Sequence, residues 1–335
     1  HADKSPNTAY QLGRYFLSNN NTRLATLWFK SAIRQNNIDA RLALANIYFD
    51  EQHYLAIKPL LLPIITNEKA LVALYKLALY QGDLTFINSY KSELAQGDNA
   101  IFYQELAQYS VFEELNEFGL NHKTVANNIS ALPTCLVDVQ LFSTNLTGLR
   151  YANTLIELFG EHRMSKYICL AKPKYISTQA VNCQHRLSEK ISCDASIWGK
   201  RKDITTRYIG LIVEHGKANV DHGIMYIDQN DTLDVLIHEL SHFIGFVDEY
   251  PLPTQHQKCQ QVQKAPFAHN LVVLDKSYQG DRQVIRESIL SQVPWRSLIK
   301  DSTPILSRNK EGWQLATPIA YKGKVGMFSA NTCRH

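Results

Sequence analysis

The chain has 335 residues, room for two domains or one large one, and its 45% hydrophobic and 20% charged residues suit a folded protein with a core. Its 35 basic and 31 acidic side chains leave a net charge of +4, too balanced for nucleic acid or an anionic membrane to be the main partner. No apolar run approaches the roughly 18 residues of a membrane span; the best candidate, Tyr54–Thr66, carries Lys58, Pro59 and Pro63.

In chain order, residues 1–118 read as helix after helix. Apolar residues recur at intervals of three and four in Ala9–Phe16, Ala25–Ile33, Ala40–Tyr48 and Ala70–Tyr80. The breaks between them are polar: Asn19-Asn20-Asn21, Gln35-Asn36-Asn37 and Gln81-Gly82-Asp83. Leu12-Gly13 with Phe16 recurs as Leu44-Ala45 with Tyr48, 32 positions on, and Leu77-Ala78 is a weaker echo a further 33 on. Small residues at these positions let two helices approach closely. The intervening ATLWFKSA resembles the second helix of a tetratricopeptide or related repeat, whose period is about 34 residues. A plain helical bundle is the alternative. A repeat stack would offer a concave face for a peptide or a protein partner.

The pattern changes at residues 119–133, where the polar stretch Asn121–Pro133 reads as a linker. In residues 134–335, Cys135–Phe142 alternates as a strand, Thr147–Phe159 has helical spacing, and Lys166–Ala171, Tyr208–Val213 and Gly223–Asp228 read as further strands. Strands interleaved with helices predict a mixed sheet with helices packed on it, so the fold class expected is an all-α domain followed by an α+β domain. Six cysteines, Cys135, Cys169, Cys183, Cys193, Cys259 and Cys333, include no CxxC pair, which argues against a cysteine zinc site. Disulfides in an exported protein are the favoured reading over buried free thiols, with 15 full pairings open. The opening HADKSPN carries no signal peptide and reads as a mature or trimmed end.

Chemistry concentrates in HELSHFIGFVDEY, His238 to Tyr250. Leu233, Leu236, Ile237, Leu240, Phe243 and Ile244 form the apolar stripe of a helix, with Asp231 or Thr232 as its cap and Asp234 near its positive end. His238 and His242 then lie one turn apart, so both imidazoles can point at one metal ion. Glu239 is displaced around the helix, where a general base can stand beside the metal without ligating it. Gly245 can end the helix in a left-handed conformation and turn the chain back, returning Asp248 as a third ligand. Three protein ligands and an open position describe a catalytic rather than a structural zinc, which lowers the pKa of a water to around 7. Spacing favours Asp248 as the ligand, with Glu249 as the alternative. Tyr250 is a candidate oxyanion contact, or an aromatic packed beside Pro251.

HExxHxxGxxD, with aspartate where a third histidine is usual, resembles the metzincin clan of zinc peptidases. HExxHxxGxxDEY is similar to the IgA-peptidase-type metallopeptidases, as are Val293–Ile305 and Lys324–Phe328. The resemblance implies a metzincin-like catalytic domain: a twisted sheet whose edge strand borders the substrate cleft, above the active-site helix. Gly223–Asp228 is the natural candidate for that edge strand, which would hold a peptide by main-chain pairing. The clan's methionine turn has no clear counterpart, since Met327 is the one methionine after Asp248. Elsewhere, His215 and His222 read as exposed loop residues, and His256 as a remote candidate ligand. No GxSxG, glycine-rich phosphate loop or cysteine–histidine protease signature occurs.

The expectation is therefore an exported endopeptidase with one Zn²⁺ held by His238, His242 and Asp248, Glu239 as base, and helical repeats recruiting a protein substrate or partner. The rival is a repeat-based binding protein whose peptidase-like domain keeps its metal but is non-catalytic or waits for a partner.

Overall fold

The computed structural model describes residues 5–114, 135–184, 189–201, 203–204, 206–246, 272–278, 306–309 and 312–316. The expected linker at 119–133 lies outside the described residues, as do Val293–Ile305 and Lys324–Phe328.

The first part is helical: Pro6–Ser18 (α1), Thr22–Ile33 (α2), Ile38–Asp50 (α3), Ile57–Leu61 (α4), Glu68–Gln81 (α5), Leu84–Ser89 (α6), Lys91–Leu94 (α7) and Ala100–Gln108 (α8). The polar breaks explain where the helices start and stop. Asn20 and Asn36 take positive φ, 56° and 61°, as does Gly82 at 68°. The residue after each one caps the next helix: the side chains of Asn21, Asn37 and Asp83 accept from the backbone N–H groups of Leu24, Ala40 and Phe86. Such a sequence of left-handed residue and acceptor side chain satisfies the orphan groups of two helix ends within three residues. Gly13 permits the close crossing expected of it: a Cβ there would sit 2.5 Å from the Phe29 ring of α2. Ala9, Ala25, Phe29, Ala32, Ala40, Leu44 and Ile47 close the core of this end. Tyr54–Thr66, read from sequence as one apolar run, is broken into short helical turns around α4. Among the described residues no helix is long and apolar enough to cross a membrane.

The second part is α/β. Val137–Ser143 (β1) leads to helix Leu146–Gly160 (α9), then Ile168–Tyr175 (β2), the short helix Thr178–Val181 (α10), Tyr208–Val213 (β3), Asn219–Asp221 (β4), Ile224–Asp228 (β5) and helix Leu233–Phe243 (α11). The sheet order is β2-β1-β3-β5-β4; β1, β2, β3 and β5 are parallel and β4 is antiparallel to β5. The inner strands are buried along almost their whole length, as parallel strands covered on both faces must be. On one face Val139, Leu141, Ile212, Met225 and Ile227 pack under α9 and α11. On the other, Phe142, Leu211, Val213 and Tyr226 pack under α10, Trp198 and the segment closed by the Cys183–Cys193 disulfide. A second disulfide joins Cys135 to Cys169, next to the starts of β1 and β2; Cys259 and Cys333 lie outside the described residues. Farther along the chain, Val272–Tyr278 (β6), Leu306–Asn309 (β7) and Gly312–Ala316 (β8) form a separate antiparallel sheet of order β6-β8-β7.

Two expectations are corrected. Gly223–Asp228 is not the edge strand, because β4 lies outside it. β4 has three residues and no alternating pattern long enough to signal a strand, so its place between His215 and His222 reads as a turn. Lys166 is not in the second strand either; it ends a helical turn over Arg163–Lys166, and the strand runs on to Tyr175.

The helical part and the sheet share a core. Leu146 and Leu149 of α9 and Tyr175 of β2 are buried with Leu74, Leu79 and Leu106. Tyr175 Oη donates to the Leu79 carbonyl at 2.8 Å, and Tyr175 N–H to the Tyr109 carbonyl at 2.8 Å. Tyr80 Oη donates to Glu214, one residue past β3, at 2.7 Å. Burial, first, and the Glu214 carboxylate hold the Tyr80 hydroxyl well above the usual tyrosine range. Arg150 of α9 forks onto both oxygens of Glu105 at 2.6 and 2.8 Å. All these contacts gather at the C-terminal ends of the parallel strands and the N-terminal half of α9.

Candidate metal centre on the Leu233–Phe243 helix

α11 begins at the C-terminal end of β5 and runs back along the sheet. Neither expected capping side chain bonds the start of the helix. Thr232 occupies the cap position without a side-chain hydrogen bond, and Asp231 instead accepts from the Asp228 N–H at 2.7 Å. Burial pushes the Asp231 carboxyl up. Leu236, Leu240 and Phe243 are buried against the sheet.

The other end carries the motif. Phe243 stacks on Tyr208, the first residue of β3, with ring centroids 4.2 Å apart, and Tyr208 Oη donates to the Phe243 carbonyl at 3.3 Å. The motif therefore sits at the strand N-termini, the end opposite the helical part. Strand β3, with its ~3.3 Å rise per residue, puts about 17 Å between the two ends.

His238 and His242 face each other edge-on, with ring centroids 4.9 Å apart and planes at 88°. Glu239 is buried, with 7% of its side chain exposed, and its Oε2 lies 3.9 Å from His242 Nε2; His242 is 15% exposed. Gly245 has φ 87°. Its N–H donates to the His242 carbonyl, and the Phe246 N–H donates to the Ser241 carbonyl, each at 3.1 Å. That double bond pattern is a Schellman turn. It has a chemical consequence the sequence did not announce. The turn brings the Phe246 carbonyl to 2.9 Å from His242 Nδ1. A carbonyl can only accept, so in this contact Nδ1 donates, and Nε2 is the ring nitrogen that faces Glu239.

Two imidazoles one turn apart, with a buried carboxylate beside one of them, are donor types that suit a divalent metal ion. Asp248, Glu249 and Tyr250 lie outside the described residues, as does His256. His215 is half-buried and His222 exposed, each beside the acidic residue that precedes it, Glu214 and Asp221. Gly245→Ala should cost about 1–2 kcal/mol, because an L-residue resists the left-handed turn. It should also weaken metal retention, since the turn positions the Phe246 carbonyl. Thermal unfolding with and without added zinc reads both; an unchanged midpoint and unchanged zinc uptake would refute the role given to the turn.

The remaining candidate feature is the sheet edge. The outer side of β4 pairs with no other described strand, and β4 packs near α11. Comparison with family models, curated proteins and solved structures gave no match to this chain.

Proposed function

We propose that this chain is an exported, zinc-dependent endopeptidase of metzincin-like type, with His238, His242 and Asp248 as the ligand set and Glu239 as the general base. The observation that carries the reading is the Phe246 carbonyl beside His242 Nδ1, a contact that would leave Nε2 to a metal ion next to a buried glutamate. A backbone carbonyl on the second ring nitrogen is the support that fixes the orientation of a metal-ligating histidine.

Zinc, when bound, supplies Lewis acidity that polarises a carbonyl and acidifies a water. The chain's own residues do the rest. Glu239 accepts the proton of the attacking water at its carboxylate and passes it to the leaving amine nitrogen. Its burial keeps bulk water from competing for that proton. The outer side of β4, which no described strand pairs beyond the Lys190–Lys217 bridge that precedes it, would hold an extended peptide as an added strand. Disulfides at Cys135–Cys169 and Cys183–Cys193 accord with an oxidising compartment.

The helical part enters this reading as a tetratricopeptide-like stack, supported by the close α1–α2 crossing at Gly13 and the repeated cap signals. Its contacts with the sheet lie at the end opposite the motif. A recruited protein must therefore be long enough to span from the stack to the motif; a short peptide bound on the helices would not reach it.

The test is metal content and cleavage of an unfolded protein substrate. About one zinc per chain should be found, cleavage should stop on chelation and return with zinc, and His238→Ala should abolish both. Bound zinc with no cleavage would favour the binding-protein reading. A metal-free chain that gains no zinc on titration would overturn the site itself.

A further inference from the structure

Cys135 and Cys169 lie at the accessible β2 side of the sheet, and Asp138 is the register partner of Cys169 in the parallel ladder. The two sulfurs and a carboxylate oxygen of Asp138 are all within 4.8 Å of one another. Asp138 is exposed and the two cysteines are half-buried. As found, the sulfurs are bonded to each other, and a disulfide is a poor ligand. Reduction changes the chemistry of the cluster. Two thiolates and one carboxylate brought this close carry three negative charges, an arrangement that a divalent cation relieves. Thiolate is the ligand that selects soft ions, and three protein ligands at an exposed strand pair leave a position open for water.

We propose that Cys135, Cys169 and Asp138 form a redox-gated site for a thiophilic divalent metal ion, closed as the disulfide and opened by reduction. The gate balances as thiol–disulfide exchange: a dithiol reductant gives two electrons and two protons to the Cys135–Cys169 bond and becomes a disulfide itself. Both cysteine protons are released when the ion binds. The site is separate from the His238–His242 centre and does not rest on the peptidase reading. In an oxidising compartment it stays closed, and it opens where dithiol reductants act.

The experiment uses the whole chain before and after anaerobic reduction with a phosphine, titrated with Cd²⁺ and followed by sulfur-to-metal charge-transfer absorption. Histidine and carboxylate ligands give no such band, so the His238–His242 centre is silent. The background carries Cys183→Ser, Cys193→Ser, Cys259→Ser and Cys333→Ser, so that Cys135 and Cys169 are the cysteines left. A band is expected in the reduced protein, absent from the oxidised protein and lost in Cys135→Ser and in Cys169→Ser. Asp138→Asn should weaken Cd²⁺ binding by at least the about tenfold that loss of even an outer partner costs. A reduced protein without the band, or a band that survives Cys135→Ser, would overturn the proposal. So would a chain that loses its near-ultraviolet dichroism on reduction and does not regain it with Cd²⁺.

Discussion

Glu239→Gln should leave zinc content and thermal stability near wild type and lower peptide cleavage by roughly 100- to 10,000-fold, the span that removal of a positioned general base produces. The substitution keeps shape and volume in a site where the side chain is 7% exposed, so the Leu236–Leu240–Phe243 packing of α11 is untouched. It removes the carboxylate that lies beside His242 Nε2 and could take a proton from water. The amide does not touch the other ring nitrogen, so the contact of His242 Nδ1 with the Phe246 carbonyl should be kept. The defect should therefore fall on kcat with little change in KM. Cleavage that survives the substitution would remove Glu239 from the mechanism. A loss of zinc with the loss of activity would instead show that Glu239 supports the metal, not the proton.

How much of this was readable from sequence depends on the range of the interaction involved. Helix ends were readable because the causes are local: Asn20-Asn21 and Asn36-Asn37 each carry a left-handed residue and a cap in adjacent positions. The two histidines and the glycine turn were readable for the same reason, being fixed within eight residues of one helix. The His242–Phe246 bond was not stated in advance, although the Gly245 turn that creates it was; the consequence needed backbone geometry. Strand order was less accessible. β4 is short, contains Asn219 and Asp221, and gains its strand character from pairing with Met225 and its neighbours rather than from its own pattern. The Cys135–Cys169 pairing likewise follows from the adjacency of β1 and β2, which a sequence separation of 34 conceals. Nothing in the sequence marked Glu114 or Arg201, which are 87 positions apart and meet through the packing of the two parts.

That meeting supplies the second large effect. Glu114, with 1% of its side chain exposed, accepts from Arg201, 6% exposed, at 2.7 Å and from the Ser177 N–H at 3.2 Å. Arg201 also forks onto Asp203 at 2.9 Å on each arm, and Lys174 reaches Asp203 at 3.3 Å. Replacing Glu114 by Ala leaves a buried guanidinium short of a partner and a buried N–H unpaired, and should destabilise the fold by about 3–5 kcal/mol in chemical denaturation. Replacing both partners, Glu114→Leu with Arg201→Met, should recover most of that loss, because no buried charge is then stranded. Recovery should be incomplete, since the Ser177 N–H stays unpaired at about 1–3 kcal/mol. Acid separates the two carboxylates. Burial pushes Glu114 up, so its share of stability is not lost on acidification. Burial also pushes Asp203 up, but Arg201 and Lys174 outweigh it and hold it below the usual range. A depressed carboxyl contributes stability above its unfolded value of about 3.9 and loses it as pH falls through the folded value, so Asp203→Asn should flatten the acid limb of the stability curve. The clasp joins the helical part to the end of the sheet remote from His238 and His242. Glu114→Ala should therefore open the Leu79–Tyr175 seam to protease before the His238–His242 end of the sheet is disturbed. A Glu114→Ala protein within about 0.5 kcal/mol of wild type, the range of an ordinary surface change, would mean that the ion network does not hold the two parts together.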